Sequence, residues 1–298
     1  MAAQHKVRKV EDVFTAHRQQ EGAGFIVRRP FPSNRASYID PFLLIDEMGP
    51  MEYLPGEAVG APDHPHRGFE TVTYMLEGQF EHEDSVGHRG LISAGDVQWM
   101  TAGSGVIHSE MPSKKIRQHG GTVHGFQIWV NLPKAHKLDA PKYQERKRDE
   151  IPVAKTEDGT AQGVIIAGRA LGVSSVIDTH IPITFQDWTL RQGADVTLAL
   201  DPEERAMVYV FGGALIADES AQVIEDGQLA ILGSGDAVRL RHAGSAPARA
   251  LLLAGKPIEE PVARYGPFVM NTQAELQQAF ADYQSGKMGR IMRGSHAN

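Results

Sequence analysis

Short runs in which apolar and polar residues alternate make up most of this chain, with glycine turns at roughly eight- to twelve-residue intervals. Residues 69–76 alternate well enough for a strand, Glu77-Gly78 makes a turn, and 79–83 returns as the hairpin partner. Glycine turns at 87–90 and at Gly95-Asp96 precede a strand at 97–100, and the corner Ala102-Gly103-Ser104-Gly105 precedes another at 106–110. A further strand over 124–130 is stopped by Asn131-Leu132-Pro133. Upstream, residues 1–36 are polar and basic with one strand expected at 24–28, and 40–48 reads as a buried strand ending at Gly49-Pro50. A glycine- and proline-rich loop follows at 55–63. This pattern predicts an all-β chain folded as an antiparallel sandwich or barrel.

The second half repeats the first in weakened form. The segment 73–80 matches 208–215 in pattern, and 90–96 matches 228–236, with an offset that widens between the two as an insertion would make it. Between the halves, residues 134–150 are highly charged, carrying Lys134, Lys137, Lys142, Arg146, Lys147 and Arg148, and read as a solvated connection. The expected division is therefore a first barrel over 1–134, a linker over 135–150 and a second barrel over 151–298. Leu276, Ala279, Phe280 and Tyr283 recur at helical spacing, Thr272 with Glu275 forms a capping box, and Gly286 supplies the stop. These features predict a short helix over 272–285, followed by a basic tail, 287–298, expected to fray.

Composition narrows the chemistry. The 298 residues include no cysteine, so disulfides, thiolate metal sites and cysteine nucleophiles are excluded, and any metal must be held by histidine and carboxylate. A net charge of −7 implies no broad basic face, and direct nucleic-acid binding is not expected. No run approaches the ~18 apolar residues of a membrane span, and the basic start lacks the apolar stretch of a signal peptide. The cytoplasm is the expected compartment.

The chemistry-bearing stretch is 64–110. It opens with His64-Pro65-His66 and closes with His108-Ser109-Glu110. In a strand, residues two apart share a face, so His64 projects with His66 and His108 with Glu110. A lone buried histidine is ordinarily a hydrogen-bonded core residue. Two same-face pairs brought together by a folded-back sheet instead make a three-histidine, one-carboxylate cluster, a set suited to a redox-capable divalent metal such as Fe(II). In the second half, 198–201 and 248–250 stand where ligands would fall, and His242 is solitary. Glu70 keeps the parity of His64 and His66 and is a competing carboxylate. His82 and His88 are expected to be exposed, and His119 to lie in a loop. On the 124–130 strand, either Gln127 and Trp129 or Phe126 and Ile128 face the cavity. Phe69, Trp99 and Met100 read as core.

The segments Asp40-Pro41-Phe42, 64–74, 95–110 and 265–272 together resemble the pirin family of the cupin superfamily, over nearly the whole chain. The resemblance implies a monomeric bicupin of two jelly-roll barrels with Fe(II) in the first only, held by His64, His66, His108 and Glu110, and leaves Glu70 to support the ligands or to make a hydrogen bond between strands. Mn, Ni, Co, Cu and Zn are alternative metals. Some bacterial pirins resemble quercetin 2,3-dioxygenases, which implies a flavonol substrate, O2 as co-substrate and Glu110 as the catalytic base. Other family members are protein-binding regulators, which implies an iron-dependent, redox-sensitive module with a protein partner. A non-redox cupin using Zn or Mn is a third reading.

Overall fold

A computed structural model describes residues 5–293. In chain order the first half contains β1 (Val10–Thr15), β2 (His17–Glu21), β3 (Phe25–Phe31), β4 (Phe42–Tyr53), β5 (Ala61–His66), β6 (Phe69–Glu77), β7 (Gln79–Asp84), β8 (Arg89–Ser93), β9 (Val97–Thr101), β10 (Val106–Pro112), α1 (Lys114–His119), β11 (Gly121–Asn131) and β12 (Lys142–Arg146). The second contains β13 (Val153–Lys155), β14 (Ala161–Ala167), β15 (Arg169–Ala170), β16 (Val173–Ser174), β17 (Ile183–Leu190), β18 (Asp195–Ala199), β19 (Arg205–Gly212), β20 (Ala214–Ile216), β21 (Ile224–Glu225), β22 (Gln228–Leu232), β23 (Ala237–Ala243), β24 (Ala248–Gly255), β25 (Ala263–Tyr265), β26 (Phe268–Met270) and α2 (Gln273–Gln284).

The chain builds two seven-stranded antiparallel sheets, each with a four-stranded partner, the two-sheet cupin barrel twice over. The first pair is ordered β12-β9-β6-β11-β4-β3-β2 and β5-β10-β7-β8; the second is β1-β22-β19-β24-β17-β14-β13 and β18-β23-β20-β21. The all-β fold with two similar barrels and a short C-terminal helix is as the pattern predicted. Thr272 caps α2 through the expected reciprocal bonds with Glu275. Among the described residues no helix is long and apolar enough to cross a membrane.

Chain order does not decide which residues fold together. One unit comprises 5–17, 30–41 and 149–257, and the other 18–29, 42–148 and 258–293. Strand β1 completes the second sheet by pairing with β22. The β25–β26 hairpin and α2 belong with the first-half barrel. The boundaries at 134 and 151 thus miss two exchanged terminal segments, because a strand joins whichever edge offers unpaired backbone groups. Residues 135–150 are not an open connection either: β12 pairs with β9. Lys137 is only 1% exposed. Its ammonium donates to the carbonyls of Gly68 (2.7 Å) and Val269 (3.1 Å) and to Oδ1 of Asn131 (2.6 Å). Burial lowers its pKa to about 8.

Two local expectations are revised. Strand β4 continues through Gly49-Pro50 to Tyr53, because a bulge opposite Val123–Gly125 absorbs the break. Gly49 there has φ +83°, and a Cβ would meet the Val123 carbonyl oxygen at 2.2 Å. The tail is anchored rather than frayed as far as residue 293: Met288 is buried, its carbonyl accepts from Ser85 Oγ at 2.7 Å, and Arg89 donates to the Met292 carbonyl at 2.6 Å. Residues 294–298 of that expectation lie outside the described residues.

The internal repeat is present, but its second match is displaced by one strand. The 73–80 and 208–215 segments correspond, since both form the hairpin joining large and small sheets. Strand β22 pairs with β19 as β9 pairs with β6, so 228–232 corresponds to β9 and not to β8. Counting along β10 and β23 from the ladder pairs Phe80–Pro112 and Leu215–His242 puts Val238 at the place of His108 and Leu240 at that of Glu110. Leu198 pairs with Val238 as His64 pairs with His108. The stand-ins on the β10-like strand are therefore Val238 and Leu240, not 248–250. Leu198, Leu200, Val238 and Leu240 all lie in the second barrel's apolar core.

Candidate metal centre

Strands β5 and β10 lie side by side in antiparallel register, with His64 opposite His108 and His66 opposite Val106. This pairing brings the two histidine motifs together. The ring centres are 4.7 Å apart for His64–His66, 4.3 Å for His64–His108 and 4.9 Å for His66–His108. One ring nitrogen from each lies within 4.8 Å of the other two. The β5–β10 register slips between His108 and Glu110. Glu110 also turns inward and lines the same cavity as His64 and His66.

The donors are prepared to bind a metal. His66 Nδ1 and both ring nitrogens of His108 are buried without a hydrogen-bond partner. An orphaned buried nitrogen costs free energy that a bound cation would recover. His64 Nδ1 lies 2.7 Å from the Pro62 carbonyl, which can accept only if Nδ1 carries the proton, leaving Nε2 as the free donor. Burial first, and the neighbouring imidazoles second, hold His66 and His108 well below the ordinary histidine range, so both are neutral with lone pairs available. Three histidine nitrogens suit Zn, Cu, Fe or Ni. The residues fit a divalent metal ion.

Glu110 is held at both oxygens: Thr73 Oγ1 donates to Oε1 at 2.6 Å and Gln127 Nε2 to Oε2 at 2.9 Å. Glu70 is engaged elsewhere, with Thr101 Oγ1 donating to its Oε1 at 2.7 Å, and it does not line the cavity. The β11 face that sequence left open is resolved in favour of Gln127 and Trp129, while Phe126 and Ile128 are buried on the other side. His124 instead meets Glu47 Oε1 at 2.9 Å. His88 and His119 are exposed, His119 at the end of α1 rather than in a loop. Phe69, Trp99 and Met100 are core.

His82 was expected at the surface and is buried, at 1% exposure. The signal was present in β7, where Phe80, His82 and Asp84 share parity and all point inward. His82 sits opposite Glu110 in the ladder, its ring centre 5.4 Å from that of His108. Burial lowers its pKa against the pull of Glu110 and Asp84.

The cavity above these residues measures about 510 Å³. Its far wall carries two arginines, Arg29 and Arg264, that no local sequence pattern marks. Arg29 makes two 2.5 Å bonds to Asp46 and a 2.7 Å ion pair with Glu21. Arg264, on the β25–β26 hairpin, places Cζ 4.9 Å from the ring centre of Trp129 and donates to the Leu43 carbonyl at 2.9 Å.

Two cupin barrels, the first with a three-histidine site beside an open cavity, define this protein as a bicupin with a candidate metal centre in its first barrel. Residues 24–130 match the Pirin family model, and residues 185–289 match the model of the Pirin C-terminal cupin domain. Pirin of Mus musculus is 42% identical over 285 residues, which cover 95% of this chain and 94% of that one. A crystal structure of quercetin 2,3-dioxygenase from Acinetobacter baumannii is 36% identical and superposes with a TM-score of 0.90, covering 96% of this chain and all of that one (100%). The bacterial pirin YhhW of Escherichia coli, solved in complex with nickel(II), shares the fold at 22% identity and a TM-score of 0.61, covering 85% and 99% of the two chains. The chain belongs to the pirin family.

Proposed function

We propose that this protein is an Fe(II)-dependent dioxygenase that opens the central ring of flavonols such as quercetin, with the metal held by His64, His66, His108 and Glu110. The observation that carries this reading is the convergence of one ring nitrogen each from His64, His66 and His108, within 4.8 Å of one another, beside a cavity of about 510 Å³ that His64, His66 and Glu110 line, within the ~300–1,000 Å³ usual for small-molecule sites. The resemblance to the Acinetobacter enzyme supports the substrate class. Nickel in the Escherichia coli relative makes Ni(II) the first alternative metal.

The residues divide the work. The flat substrate enters between Trp129 and the β25–β26 tip, where Gly266 and Pro267 line the cavity. Its ring hydroxyl comes to Glu110, which takes the proton as general base. Thr73 and Gln127 keep that carboxylate oriented. A bound redox metal supplies Lewis acidity toward the substrate oxygens and one-electron chemistry toward O2. Overall, one O2 is consumed, the two ring bonds flanking the hydroxyl-bearing carbon break, that carbon leaves as carbon monoxide, and an ester of a benzoic acid remains.

Anaerobic Fe(II) reconstitution followed by oxygen uptake with quercetin tests the reading. Iron-dependent uptake with carbon monoxide release, lost in His108→Ala and in Glu110→Gln, is expected. Full turnover by Glu110→Gln would remove the base role. Stoichiometric iron without turnover would overturn the dioxygenase assignment and favour the iron-binding regulatory one, with partner capture in both iron oxidation states as the next step.

A further inference from the structure

The cavity holds two arginines in different electrostatic situations. Arg29 is saturated: Asp46 binds it through both carboxylate oxygens and Glu21 adds an ion pair. Arg264 makes no ion pair among the described residues: the charges of Asp46 and Glu21 reach it, but both carboxylates are bonded to Arg29, and its own contacts are one backbone carbonyl and the face of Trp129. A guanidinium carries five N–H donors in a fork that matches a carboxylate. The other cavity carboxylates are committed elsewhere, Asp63 to Arg293 and Glu110 to Thr73 and Gln127. Trp129 is the spacer between the two ends of the site, its ring centre 5.1 Å from that of His66.

We infer that Arg264 is a specificity-determining residue that pairs with a carboxylate on the substrate, so that the preferred substrate is a planar aromatic acid with its chelating oxygens at the three histidines and its carboxylate at the far end of Trp129. This deepens the dioxygenase reading and rests on it for the orientation of the substrate. A neutral flavonol would use the histidine end alone and leave the Arg264 fork unfilled. The placement of Arg264 on the hairpin that forms the cavity wall lets the charge be presented without burying it completely.

The test compares 3-hydroxyflavone with 3-hydroxyflavone-4′-carboxylate, titrated anaerobically by tryptophan fluorescence into Fe(II)-loaded and metal-free protein. The quantity read is the ratio of the two affinities. The wild-type protein is expected to prefer the carboxylate by about tenfold or more, the scale of a charge-assisted hydrogen-bonded pair. Arg264→Gln should bring the ratio near one, and Arg264→Lys, which keeps the charge but loses the fork, should restore part of it. A ratio near one in the wild type, a preference that survives Arg264→Gln, or no binding of either compound would overturn the inference. Oxygen uptake by the Fe(II)-loaded protein separates the two readings. An intact preference without turnover sinks the dioxygenase and keeps the anion site; turnover without preference does the reverse.

Discussion

Arg67 Nη1 donates to Oδ2 of Asp282 across 2.9 Å, and Arg67 is the chain neighbour of His66. Its Nε also donates to the Ser104 carbonyl at 2.7 Å. The C-terminal helix is therefore bonded directly to the turn that presents the second histidine. Lys287, Arg67 and Gln278, all hydrogen-bonded to Asp282, hold its carboxyl well below the usual carboxylate range. A depressed folded-state pKa contributes stability that is complete above the unfolded value of about 4 and fades as pH falls toward the folded one. Asp282→Asn should thus lower the urea midpoint clearly at about pH 6, and its deficit relative to the wild type should shrink as the pH is taken down to about 3. A deficit independent of pH would show that the charge plays no part.

Glu110 owes its orientation to Thr73 and Gln127, which hold its two oxygens. If it is the fourth ligand, Thr73→Val and Gln127→Ala should each weaken metal binding by about 10–100-fold, the usual effect of removing a ligand's supporting hydrogen bond. Competition with a chelator measures this. Unchanged affinity in both variants would take Glu110 off the metal, whereas Glu70→Gln should leave affinity near the wild-type value.

Gly68 makes the turn between β5 and β6 at φ +85°, and a Cβ there would meet the Val269 carbonyl oxygen at 2.0 Å. Gly68→Ala therefore strains the backbone by about 1–3 kcal/mol and also pushes β26 away. That movement disturbs the Lys137 ammonium, which is bonded to the carbonyls of both Gly68 and Val269. Denaturant unfolding should show a loss of at least this size, with reduced iron retention.

In the second barrel, aliphatic residues occupy the places of the ligands, and their contribution is packing. Leu198→Ala should cost about 2–5 kcal/mol, as buried Leu-to-Ala changes do, while iron content per folded chain stays the same. Loss of iron from a still-folded variant would contradict the assignment of the metal to the first barrel alone.

Local pattern was enough for much of this protein. Period-two alternation predicted most strands of the first barrel, the Thr272–Glu275 capping box placed α2, and same-face parity paired His64 with His66. These features depend on residues a few positions apart, where strand and helix periodicity act directly. The ladder partners were decided by tertiary structure. Whether His108 stands opposite His64, whether β1 joins the second sheet, and whether β22 corresponds to β9 depend on which backbone edges meet, and these edges come from distant parts of the chain. Lys137, Arg29, Asp46 and Arg264 read as ordinary charged residues until folding surrounds each with specific partners. Burial sets the energetic weight of a charge, and burial is a property of the assembled barrel rather than of any local stretch.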